Sequence, residues 1–492
     1  MVACLARSSA HGVRLTRSFS DEFGEMTAIP LLSGTLATPQ ADFTMSYPIN
    51  LEPVPMKSGI SEGYLRAVPG ADLFATGAGA DRGGFNWNEQ HYRVMGTKLI
   101  QVSSAGLVTI LGDVGAGGPV AFDNGFGTLA INSGSALYYW NGTTLTQVTD
   151  PNLGPVNDML WLKGQYFTTD GTSIVVTQLA DPMTVDPLKY GSAEEDPDPI
   201  VALFKMRGEF YALGSFTIQV YAYSGGSGFP LTSYPTATVP VGVVGRGAKC
   251  RFYKTLAFVG QEKEDGGPTA PAVYLLEGGD APKISTRAID DELAKVDNLG
   301  SITMESRVSR DERRLLIHLP TKTLVYCANA SRIAGEAVWY ILRSGLGMNK
   351  PYRLRNAVFC YGKWIVGDYE SANLGILNDS LDTQYGEPVG WQFDTMLTYN
   401  GGKGAILHDA ELVGLPGRQS GTGDTSVFMS MTNDGETFSL ERACSQGRKG
   451  DRTRRVQWRP HRRFRLFMGM RFRGSALTGW AGCNATLEGL SV

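Results

Sequence analysis

Residues 136–148 have the sequence ALYYWNGTTLTQV, in which two runs of β-prone residues flank the dipeptide Asn141-Gly142. Such a dipeptide between two such runs is the strongest short-range signal of a β-hairpin, because both residues tolerate the backbone angles of a tight turn. The runs Ala136–Trp140 and Thr143–Val148 are therefore predicted to be paired strands.

The same combination, an aromatic residue on a strand-like run followed by a glycine turn, recurs along the chain. Copies are found at Tyr92–Gly96, Tyr138–Gly142, Tyr166–Gly171, Tyr211–Gly214, Tyr274–Gly278 and Trp364–Gly367, with a less regular copy at Leu315–Leu319 and Thr323–Tyr326. A loose repeat of about 30 to 60 residues, with two or more strands per unit, is typical of propeller blades. We predict an all-β chain with a β-propeller of six or seven irregular blades over residues 63–389.

Bulk composition supports a large folded protein without a membrane anchor. The 492 residues include 61 glycines and 24 prolines, and 42% of the chain is hydrophobic. No apolar run approaches the ~20 residues that cross a bilayer. The six cysteines are far apart and form no Cys-x-x-Cys motif, which predicts reduced thiols and not a disulfide or zinc framework.

Two segments precede the predicted propeller. Residues 1–25 contain Arg7, Arg14 and Arg17 among serines and no acid before Asp21, a composition found in mitochondrial transit peptides. A flexible tail, or an upstream start codon with Met26 as the working start, also explains it, and we expect a disordered or non-native extension. Residues 26–62 carry five prolines without helical periodicity, which predicts an extended arm lying on other structure.

The C-terminal region, residues 390–492, is predicted to be a β-sandwich. Its last basic run, Arg463–Arg473, alternates strictly in polarity. Phe464, Leu466, Met468, Met470 and Phe472 would share one face of a single strand, and Arg463, Arg465, Phe467, Gly469, Arg471 and Arg473 the other. Period-two alternation predicts a half-buried strand with an arginine-lined outer face. In the propeller region, only Ala288–Val296 has a convincing helical pattern.

Charge is distributed unevenly along the chain. Residues 391–492 carry 14 basic and 9 acidic residues, whereas residues 1–390 carry 31 and 39. Between Arg442 and Arg473 there are 12 basic residues and the single acid Asp451. Like charges at this density repel unless an acidic surface covers them, so the segment predicts a partner-binding surface. The candidate residues are Arg454, Arg455, Arg459, Arg462, Arg463, Arg465, Arg471 and Arg473.

A search for catalytic and cofactor motifs returns none. The chain has no Walker loop and no Gly-x-Ser-x-Gly elbow, and its five histidines are isolated in sequence. Thr432–Phe438 resembles the Asp-box turn of sialidase propellers, with Arg454, Arg455 and Arg459 as imaginable carboxylate-binding groups. The paired acid and the tyrosine nucleophile of such an enzyme cannot be placed. We therefore predict no catalytic residue, metal site or cofactor.

Several stretches, in order, resemble one protein family. SEGYLRAVPG (61–70), DPLKYGSAEEDPDPIVAL (186–203), the segment Phe210–Phe229, and Leu315–Pro320 followed by Leu324–Tyr326 resemble segments of the packaged-DNA stabilisation protein of short-tailed bacteriophages, the tail hub or nozzle. Gln219 departs from the pattern, since an acid is more usual there. The resemblance extends over about residues 26–490 and does not include residues 1–25.

The resemblance implies a structural virion protein without enzymatic activity. Members of the family form a ring, thought to be hexameric, below the portal and adaptor rings, where they retain packaged DNA. They also receive the tail needle, help to seat the tailspikes and become a DNA conduit during ejection. The implied location is the virion tail, with the host cytoplasm during assembly. A net-acidic body suits a conduit with only transient, non-specific DNA contact, because it repels phosphates.

Two other functions remain open from the sequence alone. One is a sialidase-like propeller glycosidase acting on surface polysaccharide, and the other is a host-side propeller scaffold targeted by residues 1–25. The basic surface likewise has three possible states: docked on an adjoining subunit or the adaptor ring, bound to nucleic acid, or solvated. With no long heptad or large apolar patch evident in the sequence, we expect the isolated protein to be largely monomeric.

Overall fold

A computed structural model describes residues 25–59, 61–125, 127–179, 181–192, 198–226, 228–419, 421 and 423–489. The expectations for the N-terminal extension lie outside these residues, apart from Glu25. The described chain is mostly β, and its strands form a propeller followed by a sandwich. The predicted fold class is confirmed.

The described residues of the propeller form seven sheets, one per blade, which resolves the alternative of six or seven. The first four blades are regular four-stranded meanders. Blade 1 contains Asp81–Trp87, Gln90–Met95, Lys98–Val102 and Val108–Asp113. Blade 2 contains Ala121–Gly125, Thr128–Ser133, Ala136–Trp140 and Leu145–Gln147. Blade 3 contains Asp158–Leu162, Gln165–Thr169, Ser173–Gln178 and Asp181–Ser192, and blade 4 contains Ile200–Met206, Glu209–Gly214, Ile218–Tyr223 and Leu231–Ser233.

The remaining blades are less regular. In blade 5, Gly242–Val243 and Lys249–Phe252 both pair with the same edge of Thr255–Gln261, and Ala272–Leu275 pairs with its other edge. A small hairpin of Lys263–Glu264 and Gly267–Pro268 extends from this blade. Blade 6 contains Thr303–Ser309, Glu312–His318, Thr323–Cys327 and Trp339–Leu342. Blade 7 contains Leu354–Cys360, Lys363–Asp368 and Asn373–Asn378, with Thr383–Gln384 and Glu387–Pro388 at its margin.

A strand from the N-terminal end of the propeller completes its last blade and so closes the ring. The outer strand of blade 7 is Gly70–Thr76, which precedes blade 1 in the chain and pairs antiparallel with Asn373–Asn378. Between blades 7 and 1, Asp81 accepts hydrogen bonds from both Arg93 and Asn356, at 2.7 and 2.6 Å. Opening the ring therefore requires breaking both a sheet and the hydrogen bond from Asn356 of blade 7 to Asp81 of blade 1.

The recurring aromatic residues fill the spaces between blades. Tyr166 of blade 3 packs against Tyr139 of blade 2, with ring centroids 5.0 Å apart. Phe167, its neighbour in sequence, packs against Phe210 of blade 4 at 5.3 Å. Adjacent positions on one strand thus face opposite neighbouring blades, which explains why strands with consecutive aromatic residues recur.

Two α-helices and two 3-10 turns interrupt the strands among the described residues. The predicted helix is present as Arg287–Ala294. A second helix, Ala328–Ala334, was not predicted, because at seven residues it is too short to show periodicity, and it ends at Gly335 with φ of +79°. The 3-10 turns are Pro235–Ala237 and Leu299–Ser301.

The sandwich is built from both ends of the chain. Its first sheet has the strand order Leu51–Pro55, Gly63–Ala67, Gly479–Gly489, Ala405–Gly414 and Val456–Trp458, with Glu25–Ile29 and Arg462–Phe464 as additional partners. Its second sheet has the order Trp391–Asp394, Phe467–Gly474, Thr425–Thr432 and Arg442–Gly447, with Thr398–Tyr399 on Phe467–Gly474. The hairpin of Gly34–Thr38 and Asp42–Ser46 lies beside these sheets.

This pairing changes the interpretation of the predicted arm. The arm does not merely lie on other structure, since Glu25–Ile29 and Leu51–Pro55 are hydrogen-bonded strands of the first sheet. Gly63–Ala67, which the sequence places at the start of the propeller, pairs with Leu51–Pro55 and Gly479–Trp480 instead. The propeller strands begin at Gly70. The physical reason is burial: Leu51 and Leu65 are fully enclosed in the sandwich core.

Candidate partner-binding surface

The predicted basic strand is two strands in two different sheets. Arg462–Phe464 pairs with the central strand of the first sheet, so that Arg463 lies opposite Ile406. Phe467–Gly474 lies in the second sheet, between Trp391–Asp394 and Thr425–Thr432. The chain crosses from one sheet to the other at Arg465 and Leu466. The expectation of one continuous arginine-lined face is therefore wrong.

The crossing preserves the alternation that suggested a single strand. Phe464, Met468 and Phe472 all point into the sandwich core and are almost completely buried. Leu466, expected on the same buried face, is 51% exposed because it lies at the bend. Strands that change sheets at a sandwich corner keep the inward pattern on both sides of the corner, so periodicity alone does not reveal the bend.

Arg455 is paired within the chain. It precedes the strand Val456–Trp458, and its Nε and Nη2 atoms each donate a hydrogen bond of 2.7 Å to the carboxylate of Glu411 on the neighbouring strand. This bidentate contact is the geometry in which a guanidinium best matches a carboxylate. The Arg455 hydrogen bonds hold the pKa of the Glu411 carboxyl below its usual value, against partial burial, which raises it.

Arg471 and Arg473, on the second sheet, are also paired. Arg471 donates from Nε and Nη2 to Asp394 at 2.6 and 3.0 Å, and its guanidinium lies 3.8 Å from the ring centroid of Phe438. Arg473 donates from Nη1 to Glu441 at 2.8 Å. Both side chains are only partly exposed, so they have a structural role in the sandwich.

Four of the candidate arginines have no side-chain partner among the described residues. Arg454 makes one long contact, from Nε to the Ser445 carbonyl at 3.4 Å. Within the part of the chain that the structure describes, no side-chain hydrogen bond or ion pair is formed by the remaining four, which we call the unpaired arginine cluster: Arg459, Arg462, Arg463 and Arg465. They follow one another around the edge strand Arg462–Phe464 and the bend. Of the eight predicted residues, these four and Arg454 form no ion pair with the described residues, so their charges are available to a partner.

An apolar surface that the sequence did not predict lies at the same corner. Phe467, directly after the bend, is flanked by Phe43 and Tyr399 with ring centroids 5.8 and 5.7 Å away. Phe43 is 56% exposed and Tyr399 is 54% exposed. We call Phe43, Tyr399, Leu466 and Phe467 the aromatic corner. No local sequence pattern predicts it, because three separated segments contribute its residues.

Thr432–Phe438 forms a turn that is held together by the Asp434 side chain. The Asp434 carboxylate accepts hydrogen bonds from the backbone N–H groups of Glu436 and Thr437 and from two threonine hydroxyls. These hydrogen bonds, first of all that of the Thr437 hydroxyl, hold the pKa of Asp434 well below its usual range. The turn supports the hairpin at Ala37, whose N–H donates to the Gly435 carbonyl.

The histidines are not all isolated in space. His408 and His461 approach each other, with Nδ1 atoms 3.4 Å apart, and His408 Nε2 lies 2.7 Å from a Glu488 carboxylate oxygen. A search of the described residues finds no group of three or more side chains arranged to hold a metal ion. No described helix is long and apolar enough to cross a membrane.

Comparisons with known proteins agree over both domains. The family model described as "Bacteriophage P22 Gp10, beta-propeller" matches residues 27–382, and the model described as "Bacteriophage P22 Gp10, beta-sandwich" matches residues 390–488. The tail hub protein gp10 of Salmonella phage P22 is 28% identical in an alignment of 477 residues, which covers 91% of this chain and 96% of that protein.

Solved structures that resemble the chain are distant propellers. The WD40 domain of Neurospora crassa Pan2 is 9% identical, with a TM-score of 0.41 over 64% of this chain and 98% of that one. The N-terminal domain of Nup159 is 9% identical, with a TM-score of 0.37 over 68% and 99%. Likenesses at this distance carry no argument about function.

Proposed function

The chain belongs to the family of the bacteriophage P22 tail hub protein Gp10, a family of structural, DNA-stabilising tail proteins and not of enzymes, and from this premise we propose that it forms a ring, a hexamer, in the tail of a short-tailed phage. The ring closes the channel below the portal and adaptor and retains the packaged DNA. The observation that carries the proposal is the match of both domains, in order, to one structural family.

The proposed ring is also the platform for the rest of the tail. It receives the tail needle, seats the tailspikes and becomes the DNA conduit at ejection, making only transient, non-specific contact with double-stranded DNA. The charge distribution supports a conduit, since residues 1–390 have eight more acidic than basic residues, and such a body repels phosphate. The proposed location is the virion tail, after synthesis and assembly in the host cytoplasm.

The unpaired arginine cluster supports docking between this chain and another protein. Exposed guanidinium groups without acids nearby are ready to bind a carboxylate-bearing surface, and Arg is enriched at the centres of protein interfaces. Docking is proposed for Arg459, Arg462, Arg463 and Arg465, and for Arg454, whose long contact with the Ser445 carbonyl leaves its charge without an ion pair among the described residues. Arg455, Arg471 and Arg473 are already satisfied by acids of their own chain.

Genome retention tests the proposal. A phage with a nonsense codon in this gene, grown on a non-suppressing host, is expected to package DNA and then lose it. Supplying the intact chain from a plasmid should restore nuclease-resistant DNA in the particles. Particles that lack the protein and still keep their DNA would overturn the proposed function.

Assembly state is a second test. The purified protein is expected to sediment mainly as a monomer and to form a closed ring only on portal–adaptor complexes, because head-to-tail contacts close into rings when a template fixes the rotation. A hexamer that persists at low concentration without other tail proteins would contradict this sequence of events.

A further inference from the structure

We propose that the aromatic corner and the unpaired arginine cluster together form one docking surface, and that its occupant is a second copy of this chain. The inference rests on the proposed tail ring and assigns the surface that joins neighbouring subunits. It differs from the arginine surface expected from sequence, because half of it is apolar and four of the eight expected arginines are absent from it.

The apolar half, the aromatic corner, is held together by defined ring contacts. Phe467 is held edge-on by Phe43, at an interplanar angle of 82°, and tilted against Tyr399 at 47°. Strand pairing sets Tyr399 directly opposite Phe467, since Thr398–Tyr399 pairs with Phe467 and Met468. Leu466 and Phe43 are each more than half exposed. Contiguous exposed apolar groups of this kind mark sites where another protein covers them.

The charged half adjoins the apolar half through the chain itself. Arg463 lies in the middle of the short first-sheet strand Arg462–Phe464. Arg465 and Leu466 form the bend, and Phe467 begins the second-sheet strand. Arg463 and Arg465 are exposed and have no side-chain hydrogen bond or ion pair with the described residues. An apolar centre beside arginines is the composition that distinguishes protein interfaces from other surfaces.

Charge complementarity points to a second copy as the occupant. The surface needs carboxylates, and residues 1–390 of the same chain carry 39 acidic and 31 basic residues. A head-to-tail contact between the basic sandwich of one subunit and the acidic body of the next uses both, and repeated contacts of this kind close into a ring. DNA is a poorer fit, because phosphate contacts need cations alone and leave the exposed rings uncovered.

Photocrosslinking in assembled particles tests the assignment. Phe43 is replaced by p-benzoylphenylalanine in one variant and Tyr399 in another, both at half-exposed aromatic positions that tolerate the added ring. Particles grown with each variant are irradiated, and the crosslinked peptides are identified by mass spectrometry. We expect the label to join a peptide of a second copy, seen as a band at twice the mass of the chain.

Charge reversal is the second part of the test. Adding Arg463→Glu and Arg465→Glu to the labelled chain should reduce the crosslinked dimer at least about tenfold, because two favourable pairs become repulsive. The control Lys254→Glu with Arg332→Glu makes the same change in net charge on exposed propeller residues, and it should leave the crosslink unchanged. Before crosslinking, the melting temperature of each variant is measured and must equal that of the unlabelled chain.

The outcomes separate this inference from the function on which it rests. Crosslinks from either position to another tail protein or to DNA would overturn the second-copy assignment and leave the proposed tail role intact. Equal crosslinking in the reversed and control variants would also overturn it. Absence of the unlabelled chain from purified particles would overturn the tail role itself.

Discussion

Arg314 of the propeller donates from Nε to the Glu52 carboxylate of the sandwich at 2.8 Å. Glu52 lies on the strand Leu51–Pro55, and its second oxygen accepts from Arg66 on the adjoining strand at 2.5 Å. The Glu52 and Arg314 side chains are both about 5% exposed or less. One buried carboxylate therefore forms ion pairs with two guanidinium groups where the two domains meet.

Replacing Glu52 by glutamine is expected to destabilise the protein by about 3–5 kcal/mol, because breaking a buried pair leaves the remaining charge without compensation. The measurement is urea unfolding of the full chain, followed by tryptophan fluorescence. Glu62→Gln is the matched control, since Glu62 is exposed on the following hairpin and its loss should cost less than about 0.5 kcal/mol. Equal unfolding midpoints for the two variants would contradict a role for Glu52 at the junction.

The junction also shows why the sequence predicted the domains but not their composition. The hairpin and the aromatic–glycine repeat are local patterns, and the blades follow them, as at Ala136–Trp140. The pairing of Gly63–Ala67 with Gly479–Trp480 joins residues more than 400 positions apart. A strand of the sandwich and a strand of a blade have the same period of two, so only tertiary pairing separates them.

Dependence of the sandwich on its N-terminal strands gives a second prediction. Residues 390–489 expressed alone are expected to be unfolded, because three strands of the first sheet and the buried Leu51 and Leu65 are missing. Residues 25–67 joined to 390–489 by a flexible linker are expected to fold. Amide chemical-shift dispersion in NMR spectra distinguishes the two states, and a well-dispersed spectrum from residues 390–489 alone would show that the N-terminal strands are dispensable.

A buried histidine leads us to predict that the free energy of unfolding depends on pH. His91 is fully buried and accepts a hydrogen bond from Arg93 Nε at its Nε2 atom, 3.2 Å away. Burial, and then the Arg93 charge, lower the pKa of His91 well below its usual value. The unfolded chain, whose histidine pKa is about 6.5, therefore binds a proton that the folded chain does not. Stability is present above that pH and is lost as the pH falls below it.

The measurement is the free energy of unfolding between pH 7 and pH 5. Replacing His91 by glutamine, which can still accept from Arg93, should reduce the pH slope by up to about 1.4 kcal/mol per pH unit. His318 remains in the variant and keeps part of the slope, since burial also lowers the pKa of this side chain. Parallel curves for the variant and the parent would refute the assignment to His91.

The basic surface shows where sequence analysis of the candidate site stopped. The eight arginines were identified by local density, but three of them pair with acids from other parts of the chain: Glu411, Asp394 and Glu441. Pairing of this kind depends on which strands become neighbours, and density along the chain does not report it. The edge-to-face contact between the exposed Phe43 and Phe467 was missed for the same reason.

Reversing the charge of individual arginines should therefore have one of two effects, depending on whether the arginine is paired within the described chain. Arg471→Glu places a second carboxylate beside Asp394, which is 3% exposed and also accepts from Ser46 at 2.7 Å. It is expected to destabilise the sandwich by about 2–3 kcal/mol. Arg463→Glu with Arg465→Glu alters exposed groups without partners in the described chain and should change the stability by less than about 0.5 kcal/mol.

The two variants should diverge again in assembly. The double variant is expected to give a folded monomer that fails to build the tail ring, and particles that leak DNA. The measurements are urea unfolding of each purified variant and nuclease-resistant DNA in complemented particles. Full genome retention with Arg463 and Arg465 reversed would refute docking through the unpaired arginine cluster, whereas a parent-like stability of Arg471→Glu would refute the structural role of its pair with Asp394.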